Sequence, residues 1–268
     1  MPAVELDRLR GQIQELISRF AYPEEFRRAF DNLLDLYADH AYRPGQVVKP
    51  QPLLPSYRVP QLVLRLLENE LVRTARARPD EALEVAEALW NDTHLEPRRF
   101  AALMVGAIPA THSDAVAEKL HAWAVPSVNF RILDLLFEHT TVLRTEAPDR
   151  LLTLAGEWLS SSDPEVQAIG LQALYPFIVD PEFENLPPIY SMLSPLVQNI
   201  PGPIHANVSS TIEALARRNS AETAYFLRQA LSLSNNPNTA RMIRRCLPLF
   251  EPQQQAGLRA AMRSSDNT

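Results

Sequence analysis

The chain has 268 residues, with 26 basic and 32 acidic side chains, a formal net charge of −6, and 46% hydrophobic against 22% charged residues. That balance is ordinary for a globular protein, and its acidic sign argues against a chain generally coated in nucleic acid. Seven glycines leave little material for Gly-rich phosphate loops or tight hairpins, which disfavours β architecture, while the 23 prolines fall mostly at junctions between apolar-periodic segments, where they start helices.

In chain order, Leu6, Leu9, Ile13, Leu16, Ile17 and Phe20 make a stripe of helical period over residues 4–20. The start MPAVELDRLR has no signal-peptide core, and no apolar run approaches the ~18 residues of a membrane span. Pro23 opens a second helix with Phe26, Phe30, Leu33, Leu34 and Tyr37 inward. Residues 43–60 carry Pro44, Pro50, Pro52, Pro55 and Pro60 and read as an extended surface loop, either a connector or a functional segment.

From Pro60 the pattern becomes regular, predicting helices near 60–76, 79–91, 96–108, 114–125, 128–139, 148–159, 164–178, 187–198, 203–218, 221–233, 238–248 and 252–263. Residues 147–178 are the clearest hairpin. Leu151, Leu154, Ala155, Trp158 and Leu159 form one stripe; Asp163-Pro164 supplies an N-cap and a first helical residue; Val166, Ile169, Gly170, Ala173, Leu174 and Phe177 form the next stripe. Such a hairpin needs neighbours of its own kind. Pro79-Asp80…Leu83-x-Val85-Ala86…Leu89-Trp90 repeats as Pro148-Asp149…Leu152-x-Leu154-Ala155…Trp158-Leu159 at an offset of 69 residues, two repeats of a paired-helix array. Trp90, Trp123 and Trp158 are then most simply wedges between repeats, with ligand stacking as the competing role. The expected organisation is an N-terminal helical pair (1–42), a Pro-rich loop (43–59), helical repeats (60–263) and a disordered tail (264–268).

Charge is unevenly distributed. Only Lys49 and Lys119 are lysines; residues 151–216 hold no Lys or Arg; residues 201–268 hold eight arginines against four acids. A partner surface of mixed sign is expected rather than a continuous phosphate track. The lone Cys246 rules out an intrachain disulfide and a Cys-based zinc site, and its setting RMIRRCLPLF reads as a small core residue. No nucleotide-loop, nucleophile-elbow or H-E-x-x-H motif is present, and no two of the six histidines stand at i,i+3 or i,i+4. Neither cofactor nor metal is expected. Asp92, His94 and Glu96 crowd one turn, as a small polar site or as ordinary capping of the next helix. Arg98, Arg99, Arg131, Arg217, Arg241, Arg244 and Arg245 are the candidate partner-binding residues.

Four segments, PSYRVPQLVLRLL (55–67), EALWNDTHLEPRRFAALMVG (87–106), AWAVPSVNF (122–130) and the hairpin 147–178, together resemble the HEAT-like DNA alkylation repair family. The resemblance implies an all-α, right-handed superhelix whose second helices line a concave face, and an activity that removes alkylated purines from DNA. It also implies a site with a tryptophan, an aspartate a few residues later, an arginine and a second tryptophan. These places fall on Trp123, Asn129, Ala168 and Ala214, with Asp134 the nearby carboxylate. An amide and two alanines replace the charged and aromatic groups. The expectation is therefore a non-catalytic HEAT-like scaffold, cytoplasmic and not membrane-bound, that binds a protein partner. The alternative is a divergent glycosylase or lesion-binding protein on DNA, using Trp123, Asn129 and Asp134.

Overall fold

The computed structural model describes residues 5–39, 54–234 and 236–265. Among them the chain is all helical: α1 (Leu6–Ser18), α2 (Pro23–Tyr37), α3 (Gln61–Ala77), α4 (Pro79–Trp90), α5 (Leu95–Ala107), α6 (Ser113–Trp123), α7 (Phe130–Glu138), α8 (Thr141–Glu146), α9 (Pro148–Leu159), α10 (Pro164–Val179), α11 (Pro187–Gln198), α12 (His205–Arg218), α13 (Ser220–Ser232), α14 (Pro237–Cys246) and α15 (Pro252–Ser265), with short 3₁₀ turns before α6 and α12 and after α14. The all-α expectation holds.

Proline opens α2, α4, α9, α10, α11, α14 and α15, where its missing N–H is no loss and its fixed φ suits the first helical residue. Short polar side chains close several N-termini. Asp163 accepts from the Glu165 amide at 2.9 Å, Asn219 from Glu222 at 3.2 Å, and Asn236 from Asn238 at 2.9 Å. The repeated 69-residue pattern appears as two helices of matching start, Pro79–Trp90 and Pro148–Leu159. Helix α8 has no counterpart among the predicted helices, because it is a single short segment with only Leu143 buried.

The chain divides into two compact units. The first comprises the described residues of Met1–Trp123 with Val128–Arg150, the second those of Ala124–Ser127 with Leu151–Thr268. In the first, α1, α3, α5 and α7 pack in one row, and α2 and α4 in another against them. A run of rings links α1–α2 to the rest: Phe20 on Phe26 (5.4 Å between centroids), Phe26 on Phe30 (6.0 Å), and Phe30 on Phe100 of α5 (5.3 Å), all four essentially without solvent contact. Each such side chain contributes about 1.5–3 kcal/mol by burial, so the N-terminal pair is firmly part of this unit. Gly106 lets α5 approach the His139 carbonyl at the end of α7, a place with no room for a Cβ.

In the second unit α10, α12 and α14 form one row and α11, α13 and α15 the other. Gly170 allows α10 to lie against α9, since a Cβ there would stand 2.8 Å from Leu159 Cγ and 3.0 Å from the Ala155 carbonyl. No single helix among the described residues is long and apolar enough to cross a membrane. Of the Pro-rich loop expected at 43–59, residues 43–53 lie outside the described residues and residues 54–59 lie among them.

Candidate nucleic-acid site and polar clusters

Trp123 ends α6 and Trp90 ends α4, and their rings stack 4.6 Å apart at 8°. Trp123 is 3% exposed and Trp90 5%. The indole N–H of Trp123 donates to Glu87 Oε2 at 3.0 Å, and Lys119 Nζ donates to the same oxygen at 2.8 Å. Burial pushes the Glu87 carboxyl up, but the hydrogen bonds from Lys119 and Trp123 and the lysine charge outweigh it and hold it below its ordinary value. On Trp90, the Arg98 guanidinium lies 5.7 Å from the ring centroid while its Nε donates to the Asp92 carbonyl at 2.7 Å. Trp123 is thus packed, stacked and hydrogen-bonded.

Asn129 is the N-cap of α7, and its side-chain oxygen accepts from the Arg131 amide at 3.0 Å. Asp134 is exposed on the same helix, and Phe130 is 57% exposed with the Arg131 guanidinium 5.8 Å from its ring. In the second unit, Ala168 is half-buried on α10 and Ala214 buried on α12. Neither can supply a cation or a ring.

The arginines named from sequence are of two kinds. Arg98 is engaged as above, and Arg99 bonds Glu68 at 3.1 Å with its guanidinium 5.9 Å from the Phe100 ring; both are half-buried fasteners within the first unit. Arg217, Arg241, Arg244 and Arg245 are exposed on α12 and α14, where Arg217 and Arg245 flank Glu213 at 3.7 and 3.1 Å. Arg218, not among the candidates, turns back to donate to the backbone carbonyls of Asp180, Pro181 and Phe183.

The crowded turn at 91–97 proves richer than its sequence. Asp92 does not cap α5; its Oδ1 accepts from the His94 amide at 2.8 Å and lies 2.9 Å from His94 Nδ1, with His94 itself as N-cap. Glu96, 6% exposed, accepts from Ser56 Oγ at 2.6 Å and from the amides of Tyr57 and Arg58 at 3.2 and 3.1 Å, and the Leu95 amide donates to the Pro55 carbonyl at 2.9 Å. The end of the Pro-rich stretch is therefore strapped onto α5, with Arg58 at a positive φ of 55°. The Tyr57 ring stacks on His94 at 4.4 Å, and burial together with neighbouring carboxylates pushes its phenol up to about 12. From α2, Arg27 and Asp31 complete the cluster, and sequence reading missed both, with Tyr57. No spacing rule joins residues 27, 31, 57 and 92. Among the described residues no group of three or more His, Cys, Asp or Glu side chains could hold a metal ion.

The described residues form an all-α fold of paired helical rows, which is consistent with a helical-repeat superhelix. The family model described as DNA alkylation repair enzyme matches residues 56–246, more than half of the sequence, and the chain belongs to that family. No curated protein and no solved structure gives a significant match.

Proposed function

We propose that this family member is a non-catalytic helical-repeat scaffold that binds a protein partner through the second helices of its hairpins. The observation that carries the reading is the commitment of Trp123. An indole stacked on Trp90, bonded to Glu87 and 3% exposed has no face to offer a base, and releasing it would break both the stack and the hydrogen bond. Asn129, spent on capping α7, carries no charge with which to stabilise a cationic transition state, and Ala168 and Ala214 supply neither grip nor ring. We take the partner to be a cytoplasmic protein, met by the exposed arginines Arg131, Arg217, Arg241, Arg244 and Arg245.

The second reading, a glycosylase or lesion-binding protein on alkylated DNA, is favoured by the family match itself. One experiment separates the two. Purified protein is incubated with methylated duplex DNA, and released 7-methylguanine and 3-methyladenine are measured beside binding at low ionic strength. The scaffold reading expects no excision and no salt-sensitive binding. Excision lost on Trp123→Ala or Asp134→Asn would replace it with the second reading. Crosslinks to a captured partner are expected on α5, α7, α10, α12 and α14.

A further inference from the structure

Asp31 lies on α2, in the helical pair that precedes the family-matched residues 56–246. Its carboxylate shares one guanidinium with a carboxylate from another element: Arg27 Nη1 is 3.2 Å from Asp31 Oδ2 and 3.8 Å from Asp92 Oδ2 in the turn between α4 and α5. The two acid side chains are only 23% and 10% exposed. The other oxygen of Asp31, Oδ1, is shut off from solvent and has no hydrogen-bond partner. A buried acceptor without a donor is costly. Because Oδ1 presents no surface, no ligand can satisfy it in place. A proton lowers the cost: taken from solvent, it converts the buried anion to a neutral carboxyl and removes its like-charge repulsion with Asp92.

We propose that Asp31 makes the seam between α2 and the α4–α5 turn a proton-sensitive joint, held more tightly when Asp31 is protonated and loosened when it ionises. The surrounding groups set the window. Burial first, then the Asp92 charge, raise the Asp31 carboxyl to about 6, while Arg27 and His94 act the other way. Asp92 itself, though burial pushes it up, is held below its ordinary value by the hydrogen bonds and charge of His94, so it stays the anion of the pair. Beyond these, Asp35 on α2, Glu96 on α5 and the neutral Tyr57 face the cluster. A carboxyl whose folded value is raised stabilises the folded seam fully below its unfolded value, and that stabilisation is lost as pH rises through about 6.

The test is amide hydrogen exchange across α2 at about pH 5 and about pH 7.5, corrected for intrinsic exchange, in the full chain and in Asp31→Asn. The joint expects wild-type protection of α2 relative to α12 to fall about tenfold between the two, one pKa unit of linkage after allowing for partial exposure, and Asp31→Asn to abolish the fall. Equal wild-type protection at both values, or an Asp31→Asn variant that keeps the slope and so assigns it to His94, would overturn the proposal. A carboxyl carbon NMR titration of wild-type Asp31 tests the joint without relying on that variant's folding: a midpoint in the ordinary aspartate range refutes it, and a midpoint that drops on Asp92→Asn supports it.

Discussion

Glu87 and Trp123, thirty-six positions apart, are joined by a 3.0 Å hydrogen bond from the indole N–H, with Lys119 on the same carboxylate oxygen. The pair fixes the end of α6 against α4. Glu87→Leu removes the acceptor from a buried N–H and is expected to cost about 1–2 kcal/mol. Trp123→Phe removes the donor with it, so a double-mutant cycle by urea unfolding should return a coupling of about 1 kcal/mol. Additive effects would show that the bond carries no weight.

Glu96 offers two oxygens to three donors, and glutamine offers one. Glu96→Gln would turn its amide hydrogens toward the Tyr57 amide or, in the flipped orientation, the Arg58 amide, since the two bond to different oxygens, and is expected to cost about 1–3 kcal/mol. Freed of this anchor, the strap should also let Arg58 leave its positive φ. Limited trypsin digestion is the sensitive readout: cleavage after Arg58 should be much faster in the variant than in wild type.

Gly106 is the tightest of the glycines described. A Cβ there would collide with the carbonyl oxygen of His139 and lie 2.5 Å from its carbon, both backbone atoms with little freedom to yield. Gly106→Ala should therefore destabilise the first unit by about 3 kcal/mol despite the better helix propensity of alanine. Thermal unfolding should show it; an unchanged midpoint would mean that α5 and α7 slide apart at little cost.

Cys246 is fully buried on α14. Burial, then the charge of Glu213, push its thiol up to about 12 in spite of Arg245 and Arg217. Iodoacetamide at mildly alkaline pH should leave the folded protein unlabelled and react only after denaturation. Labelling of the folded form would place Cys246 at a surface it does not occupy here.

The helices were legible because each carries its own local signals. Proline at the first position, a capping Asp or Asn and an apolar stripe all lie within a dozen residues, and so α4, α9 and α10 could be bounded closely. The site was legible only as a set of residue types. Trp123 could be put at a helical station, but what it touches depends on Glu87 and Trp90 from a different helix, and that decides between a base-stacking face and a wedge. Arg98 and Arg99 looked like binding residues because their partners, the Asp92 carbonyl and Glu68, are a backbone atom and a side chain from another helix. The Asp31 joint is assembled from separate segments with no local signature at all. It appears only when α2 and the 91–97 turn are brought together.

The guanidinium of Arg218 grips the 180–183 turn by main-chain oxygens alone. A connector held this way is recognised by its length and path, not by its side chains. Substitutions at Glu182 or Glu184 should pass unnoticed by the fold, whereas one residue inserted or removed there would shift the carbonyls off a rigid, planar fork that cannot follow them. In this stretch the spacing between helices is the quantity that evolution would have to guard, while the chemistry of its exposed residues is free to drift toward whatever partner the surface meets.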